Sequence, residues 1–227
     1  MADSDKDDED FEEFDDFEEE FTLAPGEEVI DPFEGYNRFM TDFNDLVYLY
    51  MLDPVARGYR FVIPEGARRS VNKFFHNLLY PVRVVNNMFQ AKFQRSGTET
   101  MRFLINTTIG ILGFFDPAKE WFGLEPYEED FGQTLGFWGV GSGPHFVLPF
   151  LGPSNLRDTI SLYPDWETDP VLSLDPVQVR WGVRIYEELN DTSLHIGEYE
   201  SFKKGAVDWY LFLRDAYEQN RTKKIKE

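Results

Sequence analysis

Apolar residues recur along most of this chain at helical spacing. Phe39, Met40, Phe43, Leu46, Val47, Tyr50 and Met51 fall at i, i+1, i+4, i+7, i+8, i+11 and i+12, a broad stripe along one side of a helix. Asp42, Asn44 and Asp45 lie beside it, and Asp53-Pro54 is expected to end the helix near Leu52. Pro64 opens a second helix. Its apolar face is Val71, Phe74, Phe75, Leu78 and Leu79, with Arg68, Arg69 and Lys73 elsewhere. Pro81 breaks it, and a third helix carrying Val82, Val85, Met88 and Phe89 runs to about Phe93, with Asn86 and Asn87 next to that stripe. Ser96-Gly97 reads as a turn and Thr98 as the N-cap of a fourth helix. This one enters the uncharged run from Phe103 to Phe115, too short to cross a bilayer, which needs about 20 residues. Asp116-Pro117 stops it and starts a short turn of helix through Trp121. Later patterns predict helices over 177–189 and 198–217, with Asn190–Ser193 as a turn or cap. Strand alternation is scarce and no repeat is visible, so the fold class is mostly α. Faces this apolar suit a packed core or contact with acyl chains equally.

Between Asp130 and Arg157 the pattern changes. With His145 neutral the stretch carries no formal charge, and by length alone it would cross a bilayer as a helix. Its composition opposes that. Glycines stand at 132, 136, 139, 141, 143 and 152, and prolines at 144, 149 and 153. Each interior Gly costs a helix about 1 kcal/mol and each Pro about 3. The expectation is a long irregular loop, either buried in a core or lining a cavity at membrane depth. Gly139-Val-Gly141-Ser-Gly143 resembles a dinucleotide fingerprint, but Pro144 follows in place of the helix that motif needs. Ser142 has Val140 and Pro144 where a nucleophile elbow needs glycine two residues to either side.

Charge and composition narrow the function. Asp3 to Glu20 holds thirteen acids and one lysine, most of the net charge of −20. Such a block repels itself and is expected to be disordered. Phe11, Phe14, Phe17 and Phe21 recur within it at helical spacing, so a spacer and a partner-binding peptide are both open readings. Residues 1–30 are thus a leader and 31–227 a single helical domain. A nucleic-acid partner is excluded by the acidity. Cysteine is absent and 22 Phe, 11 Tyr and 5 Trp are present, an aromatic load that suggests an apolar contact surface. His76, His145 and His195 stand alone, no spacing suits zinc, and no acid/base pair is evident. No cofactor, metal or catalytic residue is expected. Arg57, Arg60, Arg68, Arg69, Lys73, Arg83, Lys92, Arg95 and Arg102 cluster in the middle of the chain. They read as helix-surface charge or as contacts to anionic lipid headgroups, each worth about 1 kcal/mol near a membrane surface.

Several islands carry a family resemblance. Asp31-Pro-Phe-Glu-Gly-Tyr-Asn-Arg38, Pro54-Val-Ala-Arg-Gly-Tyr-Arg60, Asn77-Leu-Leu-Tyr-Pro81 and Arg102-Phe-Leu-Ile-Asn-Thr-Thr108 are four of them. The fullest runs from Glu129 to Pro144 and continues as Leu148-Pro-Phe-Leu-Gly-Pro-Ser-Asn-Leu-Arg-Asp158. Together they resemble the MlaA/VacJ lipoproteins of Gram-negative outer membranes. The resemblance implies a ring-like bundle of amphipathic helices set in the periplasmic-side leaflet of the outer membrane. It implies an amphipathic pore that lets stray phospholipid leave the outer leaflet. It also implies partners: phospholipid, a trimeric porin and a periplasmic lipid carrier. A lipid anchor on the native precursor is implied too, its cysteine absent from this sequence. On this reading Phe43, Asn44, Asp45, Gly139, Gly141, Gly143 and Phe146 line the pore, and Arg57, Arg60, Arg68 and Arg69 meet headgroups. A porin-associated scaffold and a phospholipid-hydrolysing enzyme are the competing readings.

Overall fold

The computed structural model describes residues 29–227; the acidic leader with its four phenylalanines lies outside them. The elements in order are α1 (Glu34–Val47), a π-helical segment (Tyr48–Leu52), α2 (Asp53–Val62), α3 (Glu65–Leu78), α4 (Tyr80–Phe89), α5 (Phe93–Thr108) and α6 (Pro117–Phe122). Then come α7 (Phe131–Phe137), an antiparallel hairpin of β1 (His145–Leu148) and β2 (Gly152–Asn155), α8 (Leu156–Thr168), α9 (Val177–Leu194), α10 (Glu198–Gly205) and α11 (Trp209–Lys226). The mostly α class is as the periodicity predicts. Among the described residues no helix is long and apolar enough to cross a membrane.

The elements pack in a closed circuit. Through the π-helical segment α1 leads to α2, which packs on α9; α9 packs on α3, α3 on α4, α4 on α7, and α7 on α8. The hairpin joins α8 back to α1. Beyond these, α5 packs on α4, and α11 on α7, β2 and α1.

Polarity within this circuit is inverted. Ala56, Phe75, Ala118, Val147, Val171 and Tyr210 are the buried apolar residues among those described, and buried polar residues outnumber them several-fold. Along α5, Ser96, Glu99, Arg102 and Asn106 face inward while Phe93, Met101 and Leu104 are exposed. Along α8, Arg157, Asp158 and Ser161 are buried and Leu156, Ile160 and Tyr163 are exposed. Phe61 is 92% exposed and Tyr50 76%. Large apolar side chains are exposed on α1, the π-helical segment, α2 and α4 through α9, whereas soluble monomers rarely display apolar patches beyond a few hundred Å².

Most of the inward polar groups are paired. Arg83 Nε lies 2.6 Å from Glu99 Oε2, with the Glu99 side chain fully buried, and Glu99 Oε1 accepts the Tyr127 N–H at 2.8 Å. Arg102 donates to Asp116 at 2.9 Å and to the Leu124 carbonyl. A buried ion pair is bearable when its remaining hydrogen-bonding capacity is met in this way.

Several boundaries differ from the sequence reading, and the fourth helix also ends at Thr108, short of Asp116-Pro117. Asp53-Pro54 does not end a helix: the chain winds on through the π-helical segment into α2, with Pro54 at its second residue. Ser96-Gly97 is no turn but lies inside α5, because Ser96 is buried against α4 and its hydroxyl bonds the Val84 carbonyl. Asn190–Ser193 continues α9, where these residues meet Arg68. The last helix is two, divided where Asp208 caps α11 through the Leu211 N–H. The central stretch is also more ordered than a loop: it holds α7, the hairpin and the start of α8.

Candidate functional site

The hairpin is held on α1 by two asparagines one heptad apart. Asn37, fully buried, donates to the His145 carbonyl at 3.1 Å and accepts the Val147 N–H at 2.9 Å. Asn44 repeats the contact two turns on, donating to the Leu148 carbonyl at 2.9 Å and accepting the Phe150 N–H at 2.7 Å. Each carboxamide supplies one donor and one acceptor, so together they act on β1 as a neighbouring strand would. The Phe43 and Phe150 rings meet edge to face, centroids 5.3 Å apart, and Phe146 packs on Phe33 and Tyr36. At the hairpin tip Phe150 is 72% exposed at a φ of +65°.

The structure therefore brings Phe43, Asn44 and Phe146 onto one contact between α1 and the hairpin. Asp45 is not part of it. Its carboxylate faces α10, where Lys203 Nζ lies at 2.6 Å and the Tyr199 hydroxyl donates at 2.9 Å. Burial and the Asp45 carboxylate push the Tyr199 phenol pKa up. Gly139, Gly141 and Gly143 lie in the link between α7 and the hairpin, which is fastened to α8 rather than α1: Leu156 N–H donates to the Pro144 carbonyl and Arg157 N–H to the Ser142 carbonyl, both at 3.0 Å. Gly139 and Gly143 have φ of +86° and +68°, where a side chain is strained. Gly141 lies outside that region, and a Cβ there would meet nothing within 4 Å.

The base of the hairpin is tied to α11. His145 and Asn155 are register partners, and Glu218 reaches both: Oε1 lies 2.9 Å from His145 Nδ1 and Oε2 accepts from Asn155 at 3.3 Å. One turn on, Arg221 bonds Asp130 at 2.8 Å and Asp158 at 2.9 Å, joining the cap of α7 to the first turn of α8. Burial pushes the Asp158 carboxyl up, but the Arg157 hydrogen bond and the Arg221 charge outweigh it and the net pKa is lowered. Asp165 on α8 accepts the Phe131 N–H at 3.1 Å and Asn86 at 3.0 Å. Its burial and the nearby Asp130 raise it to about 6. Asn37, His145, Glu218 and Arg221 escaped the sequence reading. Asn37 stands inside a quoted motif and could have been found as the residue one heptad before Asn44; the other three have no local signal.

Of the arginines expected at headgroups, Arg57, Arg60 and Arg69 are exposed, with Arg57 bonded to Asp53 and Glu200 and Arg69 to Glu65. Arg68 is a correction. It is buried, with its guanidinium on the Ile63 carbonyl and the Ser193 hydroxyl, because the cap of α2 and the end of α9 each offer it an acceptor. Arg83 and Arg102 are likewise interior, not surface charge. Among the described residues no group of three or more His, Asp or Glu converges as metal ligands would.

The family model described as MlaA lipoprotein matches residues 29–224. The Escherichia coli protein named intermembrane phospholipid transport system lipoprotein MlaA is 34% identical over 194 residues, covering 83% of this chain and 76% of its own. The Haemophilus influenzae protein of the same name is 29% identical over 210 residues, covering 87% and 80%. A solved structure, from work on the structural basis for maintenance of bacterial outer membrane lipid asymmetry, is similar with a TM-score of 0.73 and 32% identity. It covers 86% of this chain and 98% of its own. This chain belongs to the MlaA lipoprotein family.

Proposed function

We propose that the protein removes phospholipid from the outer leaflet of a Gram-negative outer membrane and passes it to a periplasmic carrier, keeping that membrane asymmetric. The inverted polarity of the circuit carries the reading: large apolar side chains turn outward on α1, α2 and α4 through α9, and polar groups, most of them paired, turn inward. Lipid tails are the solvent that suits such an exterior, and helices too short to span suit one leaflet. The names of the relatives, phospholipid transport proteins, support the same cargo.

In this reading residues 31–227 act as one domain on the periplasmic side of the outer membrane, tethered through a lipidated cysteine of the native precursor, with residues 1–30 as the leader. The circuit encloses an amphipathic passage. Phe43, Asn44 and Phe146 form one wall where α1 meets the hairpin, the Gly139–Gly143 link forms the flexible one, and Asp45 sits at the α10 edge. Arg57, Arg60 and Arg69 meet headgroups at the rim. A trimeric porin is the neighbour in the membrane. Moving a lipid makes and breaks no covalent bond, so the protein works as a transporter and not as a hydrolase.

The test is complementation of a deletion strain, measuring phospholipid in the outer leaflet. Wild type restores asymmetry; Asn44→Leu, which frees the hairpin tip, alters it. A hydrolase instead releases fatty acid in a purified assay. A pure scaffold holds the porin while deletion leaves the outer leaflet unchanged. Either result overturns the proposal.

A further inference from the structure

We propose that Asp165 is a proton-operated catch between α7 and α8, which closes that seam in acid and loosens it as the medium turns neutral. The inference rests on the phospholipid-transport reading above, because α7 leads into the Gly139–Gly143 link taken there as the flexible wall of the passage. Three helices meet at this side chain. From α8, Asp165 accepts the Phe131 N–H at the head of α7 on both oxygens, each at 3.1 Å. Its Oδ1 also accepts the Asn86 amide of α4 at 3.0 Å. Asn86 in turn accepts the Thr134 hydroxyl of α7 at 2.9 Å. One carboxylate thus fastens α7 to α8 directly, and to α4 through a shared amide.

All of these donors are neutral, and the charges around the seam are committed elsewhere or have the wrong sign. Asp130, the residue before Phe131, puts a second negative charge beside Asp165. Arg221 of α11 attracts Asp165 from a distance, but its hydrogen bonds go to Asp130 and Asp158. On α8 itself Arg157 bonds Asp158. On and just beyond α4, Arg83 faces Glu99 and Lys92 faces Glu129, and from the hairpin His145 faces Glu218. A half-buried carboxylate beside another, with no cation of its own, keeps its proton to a higher pH than one in water. Burial first, and Asp130 after it, push this one up to about 6 against the pull of the Phe131 N–H.

The hydrogen bonds decide the direction. A proton on Oδ2 leaves Oδ1 with both its donors, so the closed seam survives protonation and sheds its uncompensated charge. Ionised, the same carboxylate gains by reaching water, which it does when α7 parts from α8. With a value of about 6 in the closed seam and near 3.9 in the open one, opening becomes more favourable as pH rises between those values and levels off above them. The gain from pH 5 to pH 7.5 is about tenfold in the opening equilibrium.

Hydrogen exchange of the full chain in detergent micelles, corrected for the pH dependence of intrinsic exchange, reads the opening of residues 131–137 at pH 5 and 7.5. Wild type should open about tenfold more at pH 7.5, while residues 93–108 of α5 stay level. Asp165→Asn offers an oxygen to the same donors and cannot ionise, so its opening should be equal at both. If that variant does not fold, a carboxyl carbon-13 titration of wild type takes its place, and titration of Asp165 at the ordinary carboxylate value overturns the catch. Equal opening of wild type at the two pH values overturns it, and so does a rise that persists in Asp165→Asn. The complementation strain, grown at pH 5 and 7.5, then couples the catch to transport. Wild type should clear outer-leaflet phospholipid more slowly in acid, and Asp165→Asn slowly at both. Clearance by wild type that ignores pH overturns the regulatory role and leaves the transport reading standing. Wild type that restores asymmetry at neither pH sinks the transport reading, while the exchange result still decides the catch.

Discussion

Glu218 Oε1 lies 2.9 Å from Nδ1 of His145, although the two residues are 73 apart in the chain, and the imidazole is fully buried. The contact ties the last helix to the first residue of the hairpin, and Tyr210 and Tyr217 of the same helix flank the imidazole ring. Removing the carboxylate strands a buried ring nitrogen. Glu218→Ala should therefore cost about 1–3 kcal/mol, read as a lowered midpoint of thermal unfolding in detergent. Glu218→Gln, which keeps an oxygen in place, should cost less. Equal losses for both would mean that packing, not the hydrogen bond, holds the hairpin base.

The two glycines of the central link separate backbone strain from passage. Gly139→Ala forces a side chain into a φ of +86° and should destabilise by about 1–2 kcal/mol. Gly141→Leu enters open space at an unstrained φ and should change stability by no more than about 0.5 kcal/mol. If the link is a wall of the passage, Gly141→Leu still raises outer-leaflet phospholipid in the complementation assay. Normal asymmetry with normal stability removes Gly141 from the passage.

Arg83 and Glu99 form a buried ion pair, both side chains under a tenth exposed. Glu99→Gln leaves the guanidinium without its counter-charge and should destabilise by about 3–5 kcal/mol. Replacing Arg83 as well, Arg83→Met with Glu99→Gln, should recover part of that loss, because the Gln oxygen still accepts the Tyr127 N–H. A double-mutant cycle of unfolding free energies measures the coupling. Additive losses would show that the pair contributes nothing as a pair.

Stability should depend on pH in two opposed ways. Asp158 is held below its ordinary pKa by Arg157 and Arg221. Its contribution is present above the unfolded value near 3.9 and is lost as pH falls below it. Asp165 has the opposite sign. Raised to about 6 by burial, it penalises the folded state above pH 6, and the penalty is relieved by protonation as pH falls from about 6 towards 3.9. Unfolding midpoints should thus peak between these values. Asp165→Asn should flatten the limb above the peak and leave the acid limb intact. An unchanged pH profile in that variant assigns the upper limb to another group.

Most helices are legible in the sequence, although α7 and α8 are not. Phe39 to Met51 reads as one stripe, Pro64 and Pro81 mark real starts, and the islands from Asp31 to Asp158 led to the family. Boundaries failed where tertiary contacts overrode local preference: Ser96-Gly97 reads as a turn until Ser96 is seen against α4. The candidate site was half legible. Phe43, Asn44 and Phe146 all lie along the contact between α1 and the hairpin, but Asp45 shares only adjacency with them and faces another helix. Arg68 was placed outside with Arg69, yet 100° of helical rotation separates neighbours.

Periodicity reports that a helix has two unlike faces; it does not report which one meets the neighbouring helix. The chain alone determined that α4 and α5 are amphipathic, that the centre is uncharged and broken by Gly and Pro, and that no run is a plain spanning helix. The tertiary structure decided that the polar faces turn inward, because each buried group needs a partner, and those partners stand far away. Arg83 finds Glu99 across 16 residues, Asn37 finds Val147 across 110, and Glu218 finds His145 across 73. Hydrogen-bond satisfaction in a low-dielectric interior is a property of such pairs, and no window of sequence contains both members.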